Sequence, residues 1–152
     1  MSIDGRLKDL GIILPEAAAP VASYLPVVVD GKRAHISGQL PFLDGKLVVG
    51  KLGDDISLDT GTAAARACGL MILSQLKAAF SSLNDVERIM KLNVYVNSTP
   101  TFTDQPKVAN GASDLIHEIF GDRGRHARSA VGVASLPLGA AVEIDALIAL
   151  AQ

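Results

Sequence analysis

The chain of 152 residues contains no tryptophan, a single cysteine and only 4% aromatic residues. One cysteine cannot form an internal disulfide, and the N-terminus lacks the basic region and apolar run of a signal peptide, so a reducing, cytoplasmic setting is expected. No apolar stretch approaches the roughly 20 residues that a membrane-spanning helix needs, because Gly, Asp, Lys and Arg interrupt every candidate. A soluble protein without a membrane partner is therefore expected. Basic excess is missing too: 14 Lys and Arg stand against 16 Asp and Glu, for a net charge of −2. With so few aromatics to stack bases, nucleic acid is not an expected partner. His35, His117 and His126 are widely spaced and lack an i,i+4 arrangement or a cysteine neighbour, which argues against a metal site. No glycine-rich phosphate cradle of the Walker or dinucleotide kind occurs, and no cofactor is expected.

What is present is apolar surface. At 49% hydrophobic content, a chain long enough for one domain over residues 1–152 carries more than a small monomer needs, which suggests burial between subunits. Residues 1–19 form a peripheral N-terminal extension, with a short helix over Gly5 to Leu10 and a proline-bounded connector from Pro15 to Pro20. Tyr24 to Val29 and Arg33 to Ser37 read as strands joined by an Asp30-Gly31 hairpin turn, and Asp44-Gly45 marks a further turn.

Between Asp59 and Phe80, apolar residues recur at three- and four-residue spacing, with Asp59 or Thr60 as cap, which predicts an amphipathic helix. Val86 to Val96 predicts a long central strand, and Thr103 to Phe120 a second helix with Pro106 in its first turn and Gly121 as terminator. The order hairpin, helix, strand, helix, hairpin defines an α+β layer with two helices on one face of a mixed sheet.

The C-terminal third carries the polar residues of interest. Arg128 to Pro137 and Ala141 to Leu150 alternate with period two, and Pro137 to Ala140 supplies turn chemistry, so the pair reads as an antiparallel hairpin. Val142, Ile144, Ala146 and Ile148 share its core face, while Glu143 and Asp145 point the other way. In that register Leu136 faces Ala141, Ala134 faces Glu143 and Arg128 faces Ala149, placing Arg128 and Glu143 on one helix-free face beside Leu136 and Leu147. Six residues of offset separate them by about 20 Å. One small ligand cannot bridge that distance, so a site between subunits is the economical expectation.

Arg128 could clamp a carboxylate through its planar fork; the plainer reading is an ion pair with a neighbouring strand or chain. Glu143 could serve as general acid or base if burial raises its pKa, or equally as an interface salt bridge. The basic run from Gly121 to Arg128 reads as a solvated loop. Cys68 falls on the core stripe of its helix and reads as a small buried hydrophobe.

Taken together, Ser37-Gly38-Gln39-Leu40-Pro41, Asn110 within Val108-Ala109-Asn110-Gly111, Arg128-Ser129-Ala130-Val131, and Leu136-Pro137 leading to Val142-Glu143-Ile144-Asp145 resemble the RidA (YjgF/YER057c/UK114) family. The similarity runs from about Pro20 nearly to the end and points to a branch labelled endoribonuclease L-PSP. It implies a chorismate-mutase-like α+β fold, a homotrimer, and ligand clefts between adjacent subunits. It further implies cofactor-independent hydrolysis of reactive 2-enamines and 2-imines to 2-keto acids and ammonia, with small 2-imino and 2-keto carboxylates as ligands. By this resemblance Arg128 would hold the substrate carboxylate and Glu143 would position or activate water. Gly38 and Ala130 would offer backbone groups beside Ser37, while Tyr24 and Asn110 would also reach the cleft. Two departures stand out: Ala130 sits where many members have cysteine, and the family's tyrosine segment is reduced to Ala22-Ser23-Tyr24-Leu25.

Three function classes follow from these residues: an imine or enamine hydrolase, an endoribonuclease, and a non-catalytic trimer that binds small carboxylates. Arg128 and Glu143 favour the first. The acidic balance and scarcity of aromatics weigh against the second.

Overall fold

The computed structural model describes residues 1–151. Its first two helices begin where the local sequence supplies a side-chain cap. In α1 (Ile3–Asp9) the Ser2 side chain accepts from the Gly5 amide, and Ile3 and Leu7 are buried against the body of the protein. The long helix α2 (Leu58–Phe80) is capped by Ser57, which accepts from the Thr60 amide at 3.1 Å; the cap is thus Ser57 rather than Asp59 or Thr60. It ends at Ser81 in the left-handed region, φ 62°. The third helix, α3 (Gln105–Phe120), begins two residues later than its sequence suggests, keeps Pro106 in its first turn and stops at Gly121.

Among the described residues seven strands accompany the helices: β1 (Val27–Asp30), β2 (Arg33–Gln39), β3 (Phe42–Leu43), β4 (Lys46–Leu47), β5 (Val86–Asn97), β6 (Ala127–Val133) and β7 (Val142–Leu150). Asp30 pairs with Arg33, so the first hairpin turns on Gly31 and Lys32, not on Asp30-Gly31. Only Gly31 of the pair has positive φ. Asp44 and Gly45, both with positive φ, join β3 to β4 as a separate two-stranded ribbon.

The main sheet runs β1-β2-β7-β5-β6, antiparallel except for β5 against β6. This corrects the expected closing hairpin, because β6 and β7 never pair. Beta-5 lies between them, and β6 forms the sheet's edge after a crossover through α3. The chain from Ala134 to Ala141 then steps over the end of β5 and is pinned there. The Lys51 ammonium donates to Asn97 Oδ1 and to the Ala134 carbonyl, both at 2.7 Å. The Asn97 side chain donates to the Ala140 carbonyl, and its amide donates to that of Ala141.

Helices α2 and α3 cover one face of the sheet, α2 over β2 and β7 and α3 over β5 and β6. Small residues let them approach closely: a Cβ on Gly111 would collide with the Thr62 carbonyl oxygen. The core lies between the layers, where Ile72, Leu76, Leu92, Ile116, Ile144 and Ile148 are fully buried. Among the described residues no helix is long and apolar enough to cross a membrane.

Candidate functional site

Pairing decides which way each polar side chain points. Arg128 is level with buried Leu92 on β5, which faces the helices. Arg128 therefore projects to the helix side, not to the helix-free face expected from a hairpin register. Because β6 is the edge strand, its side chain reaches across to α3. Arg128 Nη1 donates to Asn110 Oδ1 at 2.8 Å and to Ser113 Oγ at 3.1 Å, and Nη2 donates to the Pro106 carbonyl at 3.4 Å. Asn110 and Ser113, three apart on α3, share the face that meets it. Ser113 Oγ also lies 2.9 Å from His126 Nε2, and His126 Nδ1 is 2.7 Å from the Gly124 carbonyl. Half-buried Ala130 follows two residues on, on the same side of β6.

All of Arg128's partners are neutral. Among the described residues no carboxylate lies within ion-pair distance of it, so the intrachain ion pair considered above does not form. Three of the guanidinium's five N–H donors are engaged; two remain, the number a bidentate carboxylate takes.

A second cluster forms on the opposite face. Glu143 is level with Tyr95, and both point away from the helices, as the alternation along β7 predicts. Pairing of β2 with β7 is interrupted between Ile36 and Gln39, a bulge that brings Gly38 against the glutamate. A Cβ on Gly38 would sit 2.7 Å from Glu143 Oε1, so the glycine is what admits this side chain. Buried Gln39 steadies the bulge by donating to the Ser37 carbonyl at 3.0 Å, while Gln75 of α2 donates to Gln39 Oε1.

Asp145, two residues along from Glu143, accepts from Asn93 Nδ2 at 2.7 Å and from the Tyr95 hydroxyl at 3.2 Å. Ser37, Gly38, Lys91, Asn93 and Asp145 line an open depression of about 560 Å³. Partial burial, reinforced by the like charge of Asp145, holds the Glu143 carboxyl above the usual glutamate range. Burial first, and then Asp145, likewise raise the Tyr95 phenol.

The structure thus groups Arg128, Asn110 and Ala130 in one place and Ser37, Gly38 and Glu143 in another. Tyr24 joins neither group; it is 47% exposed, next to Leu25 at the rim of the depression. Cys68 is fully buried and its thiol is pushed well up by burial, in keeping with a packing role.

Ser113, His126, Asn93 and Tyr95 were not legible as site residues. Ser113 had one signal, its i+3 spacing from Asn110; Tyr95 and Asn93 become visible only once β7 is paired with β5.

Fold and geometry together define an α+β domain of the chorismate-mutase-like type, with a mixed sheet and its helices on one face. Residues 4–149 match the family described as "YjgF/chorismate_mutase-like, putative endoribonuclease". The chain belongs to this YjgF/RidA family, in its endoribonuclease L-PSP branch. It is 55% identical over 150 residues to Protein TCP17 of Trypanosoma cruzi, covering 97% of this chain and 94% of that protein. The solved structure of "a putative endoribonuclease" from Shewanella oneidensis MR-1 superposes with a TM-score of 0.94 at 36% identity, covering 99% of this chain and all of that one (100%). A more distant relative, 27% identical over 139 residues (90% of this chain, 93% of its own), is the 2-iminobutanoate/2-iminopropanoate deaminase of Dermatophagoides farinae.

Proposed function

We propose that this protein hydrolyses small 2-imino carboxylates, and the 2-enamines in equilibrium with them, to 2-keto acids and ammonia. The site is a cleft completed by two copies of the chain in a homotrimer. One copy presents Arg128, Asn110 and the Ala130 backbone from its sheet edge; the other presents Ser37, Gly38 and Glu143 from its helix-free face.

The observation that carries this reading is a matched pair of unsatisfied charges. Arg128 is oriented by neutral groups and has two free donors. Glu143 is half-buried without a cation and stays protonatable nearer neutrality. An interface between sheet edge and sheet face brings the two together, and the name of the mite relative supplies the chemical class.

In this reading the Arg128 fork binds the substrate carboxylate and fixes the imine carbon in place. Glu143 accepts a proton from water as the water oxygen bonds to the protonated imine carbon, giving a carbinolamine. The same carboxyl then returns the proton to nitrogen; as the C–N bond breaks, the carbinolamine hydroxyl becomes the keto carbonyl and gives its proton to the freed Glu143 carboxylate, which passes it to solvent as ammonia leaves with the 2-keto acid. Proton and oxygen both come from water, so no cofactor enters the balance.

The test is release of ammonia and keto acid from 2-aminoacrylate and 2-iminobutanoate generated in situ by a dehydratase. Wild type should accelerate release, and Arg128→Ala and Glu143→Gln should each lose the acceleration. A folded wild type no faster than the uncatalysed reaction overturns this function.

A further inference from the structure

Arg128's contacts do not end at α3. They continue through a directed chain of hydrogen bonds whose polarity the chemistry of the groups dictates. A carbonyl oxygen only accepts, so the 2.7 Å contact between His126 Nδ1 and Gly124 requires the proton on Nδ1. A guanidinium only donates, so the 3.1 Å contact between Arg128 Nη1 and Ser113 Oγ makes the serine an acceptor there. In the neutral ring, which burial favours, Nε2 is then bare and the serine's own hydrogen points to it, 2.9 Å away. Arginine donates to serine, serine to histidine, histidine to the backbone.

We propose that Ser113 and His126 are positioning residues that hold Arg128's carboxylate-binding fork, and that protonation of His126 releases it, making carboxylate affinity pH-dependent. The proposal rests on the reading of Arg128 as carboxylate anchor.

A second proton on the ring would aim both Nε2–H and Nη1–H at one serine oxygen. The serine hydrogen would lose its acceptor, and two cations would share a single oxygen. Burial of the ring and the facing Arg128 both push His126's pKa down, outweighing the opposite effect of the Gly124 carbonyl. Arg88 of β5 comes near the ring, donating to the Arg125 carbonyl at 3.1 Å. Arg128 faces the ring from β6, and α3 contributes the neutral Ser113. In the turn before β6, Asp122 and Arg125 pair with each other in solvent at 3.8 Å, and His117 turns its ring to the Gly121 carbonyl. Lys91, level with Ala127 on β5, lines the opposite face of the sheet.

The experiment measures Kd for 2-ketobutyrate by calorimetry, together with KM and kcat for the imine, from pH 5 to 8 in five proteins: wild type, Ser113→Ala, His126→Gln, His126→Ala and Arg128→Ala. Ser113→Ala and His126→Ala should raise Kd and KM roughly five- to tenfold, the order of effect of losing one ordinary hydrogen bond, with kcat little changed. In wild type Kd should rise as pH falls through the His126 titration. His126→Gln, whose side-chain oxygen can accept from Ser113 but cannot titrate, should keep the tight Kd and lose that rise. Ring ¹⁵N shifts at pH 7 should show Nδ1 protonated and Nε2 bare.

A His126→Gln profile with the same acid-side rise as wild type overturns the proposal, as does a Ser113→Ala protein that binds like wild type. Unchanged Kd in Arg128→Ala would instead overturn the anchor reading itself. The Kd measurements need no turnover, so loss of the hydrolase reading and loss of this one are separable.

Discussion

Arg128 and Glu143 project from opposite faces of the same sheet. Arg128 is level with Leu92, whose side chain packs under the helices, and Glu143 is level with Tyr95, whose side chain does not. Within the sheet they are displaced by roughly 10 Å along the strands and about 10 Å across the two strand spacings from β6 to β7. The separation is shorter than the 20 Å of a hairpin register, yet the intervening sheet keeps them from one small molecule within a single chain. Each polar cluster is half of the proposed site.

Gly38 controls access to Glu143. In Gly38→Ala the new methyl would fall within 3.0 Å of Glu143 Oε1, Cδ and Cγ. The glutamate's flexible end can swing aside, so the melting temperature should change little. Imine hydrolysis should fall by up to about 100-fold, the penalty of a catalytic group displaced by about 1 Å. Activity assays beside thermal melts check both parts.

Glu143's raised pKa has a sign for stability. The folded protein binds the Glu143 proton more tightly than the unfolded chain, so this residue's contribution falls as pH rises from the ordinary glutamate pKa through the raised folded value. Glu143→Gln should therefore be more stable than wild type at pH 7, and the difference should vanish below about pH 4, where both states hold the proton. Urea titrations at pH 7 and pH 3.5 measure it. A less stable Gln variant at pH 7 would show the carboxylate to be paired.

Asp145 is the electrostatic neighbour of Glu143. Its replacement by Asn keeps a hydrogen-bonding side chain but removes the like charge that adds to the burial effect. The acid limb of kcat/KM should move to lower pH in Asp145→Asn without disappearing, because burial, the larger cause, persists. A pH–rate profile over pH 4 to 8 decides it; an unmoved limb would mean that Glu143 is not the titrating base.

Packing of α2 on α3 depends on Gly111. A methyl there would collide with backbone, the Thr62 carbonyl, which cannot rotate away as a side chain can. Gly111→Ala should be destabilised by about 1–3 kcal/mol from overpacking, read from the urea midpoint, whereas Gly45→Ala should act only through its turn conformation.

Periodicity made α2, α3 and β5 legible, because each is long and buries one face or alternates over many residues. The pairing of the last two strands was not legible. Arg128–Val133 and Val142–Leu150 both alternate and are separated by a Pro-containing turn, which is also how a true hairpin reads. What moves them apart is long-range: Lys51 and Asn97 hold the intervening segment across β5. That single topological difference turned Arg128 to the other face.

It also explains which site residues were readable. Arg128 and Glu143 stood out as charges on alternating apolar strands, and Ser37, Gly38 and Asn110 came from a motif resemblance; neither signal depends on pairing. Ser113 and His126 matter only through contacts with Arg128 that β6 makes after crossing over from α3, and the one local signal is the i+3 spacing of Ser113 from Asn110.

The most direct test of the two-copy site is complementation between variants. Arg128→Ala and Glu143→Gln, each inactive alone, should be mixed, unfolded and refolded together, then assayed for imine hydrolysis. With random assembly about one quarter of interfaces in a cyclic oligomer would pair an intact Arg128 with an intact Glu143, so equal mixing should restore about a quarter of wild-type activity. A refolded mixture no more active than the separate variants would contradict a site shared between copies.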